Sequence, residues 1–134
     1  MTEQKQLTPE QQQQWVRDQY LKATKYLADK GLVTESVADT ESRYLVPLMA
    51  VWKINLLDKS KIWVLTGDLP TDHLVLENKE TARDAVRQFS FKWQVQATPL
   101  LDSGIEEQIK YANLLITKAE GLYDLFSKDE LWQA

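Results

Sequence analysis

Between Gly67 and His73 the chain reads Gly-Asp-Leu-Pro-Thr-Asp-His, which gathers two carboxylates, a hydroxyl and the only histidine. An imidazole titrates near neutrality, and a carboxylate beside it can hold its proton or share a divalent cation with it. Asp68, Thr71, Asp72 and His73 are therefore candidate ligand-binding residues. A small metal-dependent hydrolase or acid–base enzyme would use Asp68, Asp72 and His73, with Glu41 as a further carboxylate. The same residue types also build turns: their oxygens accept backbone N–H groups where a strand stops, and Thr71 or Asp72 could cap a short helix. One histidine without a second His or a Cys falls short of the usual metal sets, so no metal ligand is assigned.

Arg43, flanked by Glu41 and Tyr44, is the candidate cation. Its guanidinium could offer a fork to an anionic ligand or pair with Glu41, Asp68 or Asp72. Trp52 and Trp63 could wall a pocket or fill a core. Gly-rich phosphate loops, G-x-S-x-G, H-E-x-x-H and paired cysteines do not occur, so the familiar nucleotide, hydrolase and zinc classes lack their motifs. Catalytic residues and cofactor stay unassigned.

The elements that must position these residues belong to an ordinary globular composition. The chain has 134 residues, 43% apolar and 27% charged, with five Trp and five Tyr to fill a core. A formal charge of -4 repels polyanions, so neither nucleic acid nor anionic membrane is an expected partner. Absence of cysteine suits a reducing compartment. The first residues lack the order of a signal peptide and no apolar run approaches membrane-spanning length, so the expected location is cytoplasmic.

Residues 1–7 read as a disordered tail and 8–134 as one α+β domain. Thr8-Pro9-Glu10-Gln11 is a helix start with the capping-box spacing, and Gly31 marks its end. Val16, Tyr20, Ala23 and Leu27 form the apolar stripe, with Arg17, Asp18, Lys22 and Lys25 outside. From Ser42 to Leu57 both alternating faces are apolar until Lys53, as in a strand covered on two sides; Pro47 places the regular strand after it or at an edge. Asp58 to Lys61 links this run to Ile62–Thr66 as an antiparallel hairpin, and a third strand at Leu74–Leu76 stays open. Asn78 to Gln96 has helical spacing, with Ala82, Ala85, Val86, Phe89 and Trp93 on one face, and Pro99 is the expected stop. A last helix carries Ile105, Ile109, Ala112, Ile116, Ala119, Tyr123 and Phe126 in a heptad seam, widened by Leu115 and Leu122, and Gly121 would let another backbone come close. That seam serves either packing within the chain or a homodimer.

Four stretches carry a family resemblance: Trp15-Val16-Arg17; Glu41 through Lys53; Gly67 through His73; and Ala119-Glu120-Gly121-Leu122-Tyr123-Asp124-Leu125. On these the chain resembles a small bacterial family, mainly gammaproteobacterial, known only as a domain of unknown function. The resemblance implies no activity, cofactor or catalytic residue. In size, acidity and element order the chain is also similar to type III secretion chaperones, a likeness of architecture alone.

The expected fold is α+β: an N-terminal helix, an antiparallel hairpin with room for a third strand, and two C-terminal helices packed on the sheet. The expected function is a non-enzymatic cytoplasmic binding or interaction module, homo-oligomeric through the C-terminal helix. Its ligand would meet Arg43 and the Asp68–His73 corner; the enzyme at that corner is the alternative.

Overall fold

The computed structural model describes residues 7–76 and 80–133. Of the expected tail at 1–7, residues 1–6 lie outside them. At the start of helix α1 (Pro9–Asp29) the Gln11 N–H donates to the Thr8 hydroxyl and the Thr8 N–H to the Gln11 side chain. Two of the helix's free donors are thereby satisfied. Gly31, at φ +79, turns the chain out, and the Leu32 N–H reaches back to the Leu27 carbonyl. The expected stripe is the packed one: Ala23 and Leu27 are fully buried, Val16 and Tyr20 lie beside them, and the four charged residues are exposed.

Among the described residues five strands form one antiparallel sheet: β1 (Thr34–Val37), β2 (Arg43–Leu45), β3 (Met49–Leu56), β4 (Lys61–Gly67) and β5 (Asp72–Leu74). The β3–β4 pair is the hairpin expected from the polar link, where Asp58 Oδ1 accepts the Ser60 N–H and Lys59 adopts φ +75. β3 starts after Pro47, as a residue without an N–H requires. β1 and β2 both pair with β3, Val37 opposite Ile54 and Arg43 opposite Val51, so they make one interrupted edge. The interruption at 38–42 is closed by hydrogen bonds to both sides of Lys53: its carbonyl accepts the Ala38 N–H and its N–H donates to Ser42 Oγ.

Alternation sends Ala50, Trp52, Ile54 and Leu56 toward α1, and Met49 and Val51 toward the C-terminal helices. Cover on both faces accounts for the unbroken apolar run. Trp52 and Trp63, on adjacent strands, fill opposite cores and wall no common pocket. The Trp52 indole N–H finds its buried acceptor in Thr66 Oγ1 at 3.1 Å.

Helix α2 (Ala82–Leu101) is capped by Thr81, with Asp84 completing the box. Asn78, its expected start, lies outside the described residues. The expected face is buried, but Pro99 does not stop the helix. In the last turn a proline removes only one backbone donor, and the Asp102 N–H still bonds to the Thr98 carbonyl beyond it. α2 lies on the sheet, and helix α3 (Glu106–Ser127) packs mainly on α2. A buried Ser90 hydroxyl donates to the Ala119 carbonyl at 2.7 Å between them.

The expected seam of α3 is buried in part, with the residues expected to widen it at its centre and Ile116 and Phe126 packed at its side. Ala112, Leu115, Ala119 and Leu122 are its buried line, whereas Ile105 and Tyr123 are 49% and 51% exposed. One partner helix covers only one flank of a wide apolar face. Gly121 admits no backbone from this chain either: a Cβ there would meet nothing within 4 Å. No helix among the described residues is long and apolar enough to cross a membrane.

Candidate functional site

The Gly67–His73 stretch divides where β5 begins. Gly67, at φ +138, ends β4 with its Cα against the β3 backbone: a Cβ there would stand 2.6 Å from the Leu48 carbonyl oxygen. Only glycine fits. Asp68 and Thr71 belong to the loop that follows; Asp72 and His73 are strand residues, paired with Leu65 and Val64. Strand alternation turns Asp72 toward α2 and His73 toward α1.

Asp72 is held from several sides. Its Oδ1 accepts from Lys92 Nζ at 2.9 Å and from the His73 N–H at 2.8 Å, and its Oδ2 from the Trp93 indole N–H at 2.8 Å. The Tyr26 hydroxyl of α1 stands 3.5 Å from Oδ1 and 2.7 Å from His73 Nδ1. Lys92 also donates to the His73 carbonyl at 3.2 Å, and Lys30 Nζ lies 4.9 Å from the centre of the Tyr26 ring. The edge strand is thus tied to a helix on each face of the sheet.

Electrostatics follow from that geometry. Burial opposes ionisation of Asp72, but the hydrogen bonds from Lys92, Trp93 and the His73 N–H outweigh it and hold the carboxyl below its ordinary value of 3.8. Burial and then the Lys92 charge push the His73 ring below 6.5, against the pull of Asp72. Burial and the Asp72 charge push the Tyr26 hydroxyl up to about 12. At neutral pH the cluster is an ion pair capped by a neutral imidazole and a neutral phenol. A carboxylate already accepting from an ammonium, an indole and an amide is poorly placed to act as a general base.

Arg43 lies at the opposite edge of the sheet, on β2. It pairs with none of the carboxylates expected for it. Its guanidinium donates to the Leu131 carbonyl and, at 3.1 Å, to the Gln133 carbonyl. Arg83 secures the same C-terminal segment through the Phe126 carbonyl at 2.9 Å and Asp129 at 2.7 Å. Glu41 pairs with the buried Lys53 at 2.8 Å, far along the sheet from Asp72. Among the described residues no group of three His, Cys, Asp or Glu side chains is placed to hold a metal ion.

Of the five candidates, the structure joins Asp72 to His73, sets Arg43 apart from them, and leaves Thr71 half-buried in the loop without a side-chain bond to any described residue. Asp68 is exposed, and its carboxylate opens on a separate groove beside α3. Sequence reasoning missed Tyr26, Lys92 and Trp93. One signal was available: a tryptophan on a buried stripe needs an acceptor for its indole N–H.

A model of a domain of unknown function, DUF4826, matches residues 9–132. The chain belongs to that family. The match spans α1 through the end of the C-terminal segment, and so takes in both sheet edges and both C-terminal helices. The comparison with curated proteins finds no match, and neither does the comparison with solved structures.

Proposed function

We propose that this DUF4826 chain is a non-enzymatic, cytoplasmic interaction module that pairs with a second copy of itself through the outer face of α2 and α3. The observation that carries this reading is the half-covered heptad face of α3. Ile105 and Tyr123 of the expected seam stay largely exposed, and so do Phe91 and Val95 of α2, at 64% and 56%. Phe91 and Tyr123 line one groove of about 380 Å³ with Arg87 and Gln94. Large apolar side chains gathered on one face are costly to leave in water and are what an isologous pair of helices would cover. The acidic balance of the chain disfavours nucleic acid as the partner.

The catalytic alternative, which needs Asp68, Asp72 and His73 together, is the weaker reading. Asp68 lies in the loop apart from the joined Asp72 and His73, and the Asp72 carboxylate already accepts from Lys92, Trp93 and the His73 N–H. Light scattering tests the dimer. The wild-type protein is expected at twice the 15.6 kDa chain mass, and a folded Phe91→Asp/Tyr123→Asp variant at the chain mass. A wild type that stays at the chain mass at its highest soluble concentration would overturn the reading.

A further inference from the structure

Gly121 has no steric explanation among the described residues. It sits within α3, where glycine is among the poorest helix formers, yet no neighbour requires the missing side chain. What it borders is a groove of about 370 Å³ between α3 and the end of the sheet. Leu48, Met49, Leu69 and Leu125 supply its apolar lining. Asp68, Asp124, Lys118 and Lys128 supply its charges, and none of these four side chains makes a hydrogen bond or ion pair among the described residues.

The face of α3 that carries Gly121 extends past the groove. Tyr111, Leu114, Lys118, Gly121 and Leu125 follow one another at spacings of three and four, and Tyr111 and Leu114 are 45% and 42% exposed. From 111 to 125 such a stripe is about 21 Å long. That length suits a chain segment better than a compact small molecule.

We infer that this groove receives an amphipathic helical peptide of a partner protein, with a large apolar anchor flanked by an acidic and a basic residue. The anchor lies on Leu48, Leu69 and Leu125, the peptide backbone crosses α3 at Gly121, and the flanking charges meet Lys118 or Lys128 on one side and Asp68 or Asp124 on the other. The inference goes beyond self-association, since it uses a different flank of α3 from the one that bears Tyr123 and faces Phe91.

The test is to pan a phage-displayed library of amphipathic helical peptides against the full chain and measure the enriched peptides on variants. Enriched peptides should carry the anchor with both charges nearby, and Gly121→Leu should weaken them about tenfold or more by filling the groove. Asp68→Lys, on the sheet side and outside any helix, should weaken those whose basic residue it faces even if Gly121→Leu folds poorly. Phe91→Asp/Tyr123→Asp should leave peptide binding unchanged, which separates this inference from the dimer. No enrichment, or enriched peptides that bind wild type and both groove variants equally, would overturn it. So would a loss of dimer mass in a Gly121→Leu protein that keeps its fold, since the groove's occupant would then be a second copy.

Discussion

Asp68 and Asp72 stand in the same short stretch of sequence and have opposite surroundings. Asp72, its side chain 16% exposed, accepts from Lys92, Trp93 and the strand backbone. Asp68 is exposed and its side chain has no partner among the described residues. The strand boundary makes the difference. A carboxylate turned beneath a helix must be satisfied from within, whereas one in the loop before the ladder is left to water and to whatever enters the groove beside it. Residue type alone marks both as chemistry; the backbone separates scaffold from available surface.

Gly67 holds the two apart, and its replacement is expected to have the largest effect. In Gly67→Ala the new methyl meets the Leu48 carbonyl at a backbone angle that side chains avoid. Urea unfolding should register a loss of about 3 kcal/mol or more. A loss well below that would mean the corner is soft and the contrast between its ends overstated.

The Asp72 end should also respond to pH. His73 is depressed below 6.5 when folded, so the unfolded chain takes up its proton first. Its contribution is complete above 6.5 and is lost as the pH falls through the folded value. Tyr26 has the reverse sign: raised to about 12, it contributes below pH 10 and loses that contribution as the pH climbs toward 12. Thermal unfolding across these ranges should show both losses, and His73→Gln should flatten the acidic one.

Smaller effects belong to the groove. Gly121→Ala gains a helix former at no steric cost, and its unfolding free energy should rise by about 1 kcal/mol. Asp68→Asn should change stability by less than about 0.5 kcal/mol in the same assay. A large loss from either would show that the groove belongs to the fold.

Much of the scaffold was legible because its signals are local. Thr8 with Gln11, Gly31 with Leu32, Pro47 ahead of β3 and the polar link at 58–61 each announce themselves within a few residues. β1 did not, since Thr34–Val37 is short, half-exposed and completed only by its pairing with β3. The third strand was displaced toward Asp72 for the same reason: its register is set by Leu65 and Val64, which neighbour it only in space. The seam of α3 was legible in Ala112, Ile116, Ala119 and Phe126 but not in which flank faces inward at Ile105 and Tyr123, because a helix with two adjacent apolar flanks has one period and several directions. Arg43 was read as a partner for acids, yet the carbonyls it holds belong to Leu131 and Gln133 at the other end of the chain. Tyr26, Lys92 and Trp93 reach Asp72 from two helices, and such convergence has no local pattern to read.

The stability of Asp72→Asn bears most directly on whether this cluster is scaffold or site. The amide keeps the shape but turns a donor against Lys92 or Trp93 and leaves the Lys92 charge uncompensated. As scaffold, it should lose about 2 kcal/mol in urea unfolding while the protein keeps its dimer mass. An Asp72→Asn protein as stable as wild type, or more stable, is what a carboxylate maintained for function at the expense of the fold would give, and it would contradict the structural role assigned to Asp72.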